Sequence, residues 1–184
     1  MCVWYTFRMT TIIAVQHKES CIFAADSRTT GSDGRPYHHM SVAKVTDRDG
    51  WLIAGSGDAP ACDLIQHGWK APKQVKTLDN YKYMVTVVSP SIRKYLKDNG
   101  YEIDANDKES GFLLLLAYKG TIYEVDDTYT VSMRDDGLYG IGSGSKWALG
   151  ALQAGATMDE ALEIAARNDI YTAGPFISLV QFPS

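Results

Sequence analysis

Residues 112–118 read FLLLLAY, an unbroken apolar run that constrains the architecture more than any other stretch of the chain. It is far too short to cross a bilayer as a helix, which takes about 20 residues. A strand with one wet face would alternate apolar and polar residues; this one does not, so as a strand it must be covered on both faces. A sheet built around it lies between two other layers.

The neighbouring pattern supplies those layers. Residues 11–15 (TIIAV) and 21–25 (CIFAA) are β-type runs joined by a polar stretch, the pattern of a hairpin. The Gly-, Ser- and Asp-rich segment 26–39 reads as a loop. A second strand pair, 41–46 and 51–55, turns at 47–50, where Gly50 can take positive φ. Helices follow. Asp58 is placed to cap one whose first turn tolerates Pro60. Within 78–97, Tyr81, Met84, Val88, Ile92, Tyr95 and Leu96 recur at helical spacing, with Pro90 expected to kink or split the helix and Gly100 to stop it. Strands return at 112–118, 121–125, 128–133 and 138–141, the first two joined by Lys119-Gly120. Two helices, 145–154 and 158–168, come next, the second with Thr157 and Glu160 at capping-box spacing, and a strand over 176–182 closes the chain. Strands in blocks flanked by helix pairs predict an α+β fold, a four-layer αββα sandwich.

Composition narrows the function. A chain of 184 residues, 45% apolar, has room for one domain with a sizeable core. A net charge of −4 argues against a nucleic-acid footprint, which needs a clustered basic excess. The N-terminal MCVWYTFRM has no basic flank followed by an apolar stretch, so no secretory signal is read there. The three cysteines, Cys2, Cys21 and Cys62, are widely spaced, fit neither a disulfide framework nor a zinc site, and point to a cytoplasmic location.

Familiar chemical signatures fail in turn. The segment 140–146 (GIGSGSK) is neither a dinucleotide fingerprint nor a Walker A loop; it reads as a strand-to-helix turn with exposed N–H groups, an anion site at best. His17, His38, His39 and His67 lack metal-ligand spacing, and Gly142-Ser143-Gly144 is not a complete nucleophile elbow. There remains Thr10-Thr11, directly after Met9. A threonine hydroxyl needs a base, and a threonine at a chain start carries its own, an α-amine with pKa about 7.7–8.0. Alone, the pair reads better as ordinary β-branched strand residues.

The neighbours change that reading. TTIIAV followed by Ala24-Ala25-Asp26-Ser27-Arg28 resembles the proteasome β-subunit family of N-terminal-nucleophile hydrolases, most closely its bacterial HslV-type members. The likeness continues through VAKV (42–45), IAGSGDA (53–59), GIGSGS (140–145), ALEIA (161–165) and DIYT (169–172), and spans residues 10–184. It implies a peptidase domain over 10–184 preceded by an N-terminal extension or pro-segment, 1–9. It implies Thr10 as nucleophile, its freed amine as general base through a water, Lys44 as a nearby positive charge, and Asp26 as the partner orienting Lys44. The oxyanion donor would be the N–H of Gly57, with Gly55 as the alternative; Ser143 and Asp169 would complete the network around the amine, beside Thr172. HslV-type relatives bind a sodium ion in the same C-terminal turn, which here would use the main-chain carbonyls of Ala166, Asp169 and Thr172. No other cofactor is implied.

The resemblance further implies a homo-oligomeric double ring of six- or seven-membered rings acting on peptides or unfolded proteins, with an AAA+ ATPase partner. The tail 175–184 (PFISLVQFPS) lacks the acidic ending of such members, so a ring working without an ATPase stays open. The mechanism needs Thr10 at the N-terminus, yet eight residues precede Met9. Translation from Met9, self-cleavage of a pro-segment, or an unprocessed and catalytically silent ring subunit would each account for this. Cys2 is discounted as an alternative nucleophile, because Asp26 and Lys44 are spaced to serve Thr10.

Overall fold

The computed structural model describes residues 7–8, 10–18, 20–30, 35–38, 43–74, 77–101 and 111–183. Cys2, Met9, His39 and the start of the strand expected at 41–46 lie outside them. Strands β1 (Phe7–Arg8), β2 (Ile12–Gln16), β3 (Cys21–Ala25), β4 (Arg28–Thr30), β5 (Pro36–His38), β6 (Val45–Arg48) and β7 (Trp51–Asp58) come first. Then α1 (Ala59–Asp63) runs into a π-helical turn, Leu64–Gly68. Helix α2 (Asn80–Tyr83) passes through a π turn, Met84–Val88, into α3 (Ser89–Asp98). The second half holds β8 (Phe112–Tyr118), β9 (Thr121–Asp126), β10 (Val131–Ser132), β11 (Leu138–Ile141), α4 (Ser145–Gln153), α5 (Met158–Asn168) and β12 (Ile177–Gln181).

Two sheets stack as the apolar run demands. One runs β1-β7-β8-β9-β10 with β6 also on β7; the other runs β11-β2-β3-β12. Alternation within each strand fills three layers of packing. Ile12, Ala14, Phe23, Leu52, Ala54, Leu115 and Ala117 meet between the sheets. Trp51, Ile53, Leu114 and Leu116 face outward against Ile65, Met84, Val88 and Ile92 of the first helical layer. Ile13 and Ala24 face the other way, against Ala148, Ala161, Leu162 and Ala165 of α4 and α5. The strand β8 is therefore covered on both sides, and the four-layer αββα sandwich stands. Lys119 and Gly120 make the β8–β9 turn with φ of 51° and 76°, and Thr157 and Glu160 form the expected capping box.

Four expectations need correction. Asp58 stands at the N-cap of α1, but its side chain makes no capping hydrogen bond and instead accepts from the Tyr101 hydroxyl. The segment read as a loop contains the β4–β5 hairpin, formed where Arg-Thr-Thr supplies a β-prone run before the turn residues. The strand expected over 128–133 shrinks to β10, because Asp126 Oδ1 accepts from the N–H groups of Thr128 and Thr130 and from the Thr128 hydroxyl, which curls the chain before it can pair. Pro90 neither splits nor ends its helix. The wider π turn, Met84–Val88, lies just ahead of it, and Pro90 is the second residue of α3, so the helix widens next to the residue that lacks an N–H.

The topology brings four chain segments to one end of the second sheet. Ile12 pairs with Ala25 and with Ile141, and Ala25 with Ile177. The residues just before β2, after β3, after β11 and before β12 therefore share that end. Across the sandwich, the edge of β7 opposite β8 is shared by β6, along Trp51–Ala54, and by β1, at Gly57 and Asp58.

Candidate active site

Thr10 and Thr11 precede β2 and are fully buried, as is Asp26, which follows β3. Asp26 N–H donates to Thr11 O (3.1 Å), extending the β2–β3 ladder by one step and fixing the carboxylate beside both threonines. Its Oδ1 accepts the Thr10 hydroxyl (2.8 Å), the Thr11 N–H (2.8 Å) and the Lys44 ammonium (2.7 Å). Its Oδ2 accepts the N–H groups of Arg28 (3.0 Å) and Ala173 (3.3 Å). A buried carboxylate is tolerable only when its lone pairs are met by donors and a countercharge, and five donors, one of them cationic, do so here. Lys44 stands just before β6 with a side chain 4% exposed, so the ion pair bridges the two sheets away from water.

A second carboxylate organises the other side. Asp169 Oδ2 accepts the hydroxyls of Ser143 (2.7 Å) and Thr172 (2.6 Å). With the Thr172 hydrogen committed to Asp169, the 2.6 Å contact between Thr11 and Thr172 hydroxyls has Thr11 as donor. Thr11, Thr172 and Asp169 thus form one directional chain, and Ser143 Oγ lies 3.5 Å from Thr10 O.

The glycine-rich turn after β11 is not an open anion site. It packs against the threonine pair: a Cβ on Gly142 (φ +92°) would collide with the Thr10 carbonyl, and one on Gly144 with the Thr11 hydroxyl. Within it Ser145 N–H donates to Gly142 O and Trp147 N–H to Gly144 O. The two glycines set how close this turn can come.

Of the residues singled out from sequence, the structure gathers Thr10, Asp26 and Lys44 into one cluster and Ser143, Asp169 and Thr172 into the adjoining one. Gly57 ends β7 with φ +99°, beside β1. Gly55 instead backs onto α1, where a Cβ would lie 2.7 Å from Cys62 Sγ. Sequence reasoning missed Thr11, whose N–H and hydroxyl join the two clusters, and Arg28. The Arg28 guanidinium donates to Ile170 O, and Ser27 N–H to Ala173 O, lacing the turn after β3 to the turn after α5. The Thr-Thr doublet and the D-x-R pattern were the available signals.

The sodium ligands proposed in that turn comprise Ala166, in the last turn of α5, Asp169, whose carbonyl accepts from Thr172 N–H (3.1 Å), and Thr172. Of the three, only Ala166 lies in the last helical turn, where carbonyls lack helical donors. Among the described residues no group of three or more His, Cys, Asp or Glu could hold a metal. Burial pushes the Cys21 thiol up to about 11, which leaves it unreactive. No described helix is long and apolar enough to cross a membrane.

No protein-family model matches the sequence, and no curated protein matches it. Solved structures do match. BPH of Thiobacillus denitrificans, solved in complex with epoxomicin, superposes with a TM-score of 0.73 at 22% identity over 95% of this chain and 100% of that one. HslV of Trypanosoma brucei gives 0.63 at 18% identity over 94% and 99%. Anbu of Pseudomonas aeruginosa, solved as a helical assembly, gives 0.61 at 16% identity over 94% and 81%. The fold is that of HslV and proteasome-type N-terminal-nucleophile hydrolases.

Proposed function

We propose that the chain is a threonine-type peptidase subunit of a self-compartmentalised, ring-forming protease, with Thr10 as nucleophile. The observation that carries this is the sharing of one buried carboxylate oxygen, Asp26 Oδ1, by the Thr10 hydroxyl and the Lys44 ammonium. The fold likeness supports the reaction class. An ammonium that shares this carboxylate oxygen with Thr10 favours an alkoxide at Thr10 Oγ, and Asp26 holds the ammonium in place. In the mature form the freed Thr10 amine takes the hydroxyl proton through a water while Oγ attacks the substrate carbonyl carbon. The oxyanion meets the Gly57 N–H, and the amine returns the proton to the leaving nitrogen. A water then hydrolyses the ester by the same route, regenerating Thr10. Ser143, Asp169 and Thr172 anchor the chain just after that amine, through the Thr10 carbonyl and the Thr11 hydroxyl.

In the full-length chain the Thr10 nitrogen is a peptide nitrogen, Thr10 is fully buried, and β1 runs along Gly57 and Asp58. Activity therefore requires a chain that begins at Thr10, whether by translation from Met9 and methionine removal or by cleavage of residues 1–9. The same observation favours the second reading, an unprocessed and catalytically silent ring subunit. Exposed Trp147, Ile170 and Phe182 (43%, 74% and 71%) offer apolar surface for assembly into a homo-oligomeric double ring, and the Anbu assembly supports oligomerisation. Peptides or unfolded proteins in the cytoplasm are the substrates, delivered by an AAA+ ATPase or entering unaided. A sodium ion held by the carbonyls of Ala166, Asp169 and Thr172 would stiffen the turn that carries Asp169.

Intact mass spectrometry with epoxyketone labelling tests the proposal. A chain beginning at Thr10 that hydrolyses fluorogenic peptides and takes one label, with Thr10→Ala inert, is expected. An active preparation retaining residues 1–9 refutes the chemistry, and an inert, unlabelled full-length chain supports the silent subunit.

A further inference from the structure

Asp58 heads α1, yet its side chain makes no capping hydrogen bond. Asp58 is buried, 7% exposed, and its Oδ2 accepts the Tyr101 hydroxyl at 3.2 Å, across 43 residues of sequence. An N-cap aspartate that forgoes the helix N–H groups for a distant phenol needs a reason. Gly57, immediately before it, is the proposed oxyanion donor, and two of the residues around Gly57, Asp58 and Phe112, contact Tyr101. Asp58 N–H donates to Gly111 O (2.8 Å), and a Cβ on Gly57 would collide with that same carbonyl. Phe112, the register partner of Gly57, meets the Tyr101 ring edge-on at 6.2 Å. Tyr101 is itself anchored, its N–H donating to Leu96 O (2.9 Å) just past the end of α3, after Gly100 (φ +77°). Burial and the Asp58 charge push the Tyr101 phenol well above its usual range, so it stays a donor at any working pH.

We propose that Tyr101 is a positioning residue for oxyanion stabilisation: its hydroxyl, through Asp58, fixes the peptide carrying the Gly57 N–H at the end of β7. The proposal rests on the peptidase reading for its catalytic consequence, but not for its structural one. A donor must sit within a few tenths of an ångström of where the oxyanion forms, and misplacement by about 1 Å costs up to roughly 100-fold in rate. Tyr101→Phe keeps the ring contact with Phe112 and removes only the hydroxyl.

The experiment compares wild type, Tyr101→Phe, Asp58→Asn and Asp58→Ala by peptide hydrolysis, and by hydrogen exchange of the amides over residues 55–60. In Tyr101→Phe, kcat falls about 10- to 100-fold with KM within about twofold, and amide exchange around Gly57 accelerates about tenfold or more. Asp58→Ala reproduces both effects; Asp58→Asn, which still accepts from the phenol, largely restores both. Unchanged exchange in Tyr101→Phe overturns the proposal whatever the activity. Accelerated exchange with unchanged kcat overturns the catalytic role. Accelerated exchange in a protein whose wild type shows no hydrolysis upholds the clamp and refutes the peptidase reading.

Discussion

Removing the charge of Lys44 tests the centre of the site without assuming that it catalyses anything. In Lys44→Met the Asp26 carboxylate, with a side chain fully buried, keeps four neutral donors but loses its countercharge. Breaking a buried pair in this way costs about 3–5 kcal/mol, because one charge stays in the interior uncompensated. The discount that reduces exposed pairs to under about 1 kcal/mol does not apply to side chains 4% and 0% exposed. Asp26→Asn costs a comparable amount for a second reason: wherever the amide NH₂ replaces Oδ2, it confronts the N–H groups of Arg28 and Ala173. Once one charge is gone, removing the other adds little. The double variant is therefore expected to be about as stable as either single one, a coupling energy of roughly 3 kcal/mol. Urea unfolding followed by circular dichroism measures all four corners of the cycle, and Lys44→Met should lower Tm by about 6–20 °C. A loss under about 1 kcal/mol, or strict additivity, would refute the view that this pair is dry and coupled.

Other consequences are as direct. Gly142→Ala and Gly144→Ala push side chains into the Thr10 carbonyl and the Thr11 hydroxyl, so both should abolish epoxyketone labelling and lower Tm. Gly150→Ala, in the interior of α4 with open space around it, should instead stabilise by about 0.5–1 kcal/mol in the same melts. Thr157→Ala removes the capping box of α5 and should cost about 1 kcal/mol. The Glu160 carboxyl, held below its usual range by the Thr157 N–H and hydroxyl, adds stability present above its unfolded pKa of about 4.3 and lost as pH falls through the lower folded value, which acid titration of the variant should show. Glu124 runs the other way: burial raises its carboxyl, so its charged form is a burden above about pH 4.3, and Glu124→Gln should stabilise at pH 7 with the gain vanishing in acid.

Local pattern was enough for the layers, because the side-chain period of a strand and the capping chemistry of a helix are properties of a few adjacent residues. FLLLLAY demanded cover on both faces, and the T-x-x-E box before α5 was readable residue by residue. The Asp126 turn that truncates β10 and the π turn that absorbs Pro90 were not, since each replaces a regular pairing with a side-chain or backbone alternative of similar energy. At the site, the spacing of Thr10, Asp26 and Lys44 was legible only through likeness to a family.

What the sequence determined by itself is therefore the layered architecture and the presence of a Thr-Thr doublet with Asp26 and Lys44 downstream of it. Only the tertiary structure decided how they meet. Strand register sets Thr11 against Asp26 and brings Gly142 to the same end, and sheet stacking carries Lys44 across to Asp26. It also set Gly57 apart from Gly55, placing one beside β1 at the sheet edge and the other against Cys62. The reason is range: hydrogen bonds spanning 16, 18 and 161 residues depend on the register and stacking of whole strands, which no local window of residues contains.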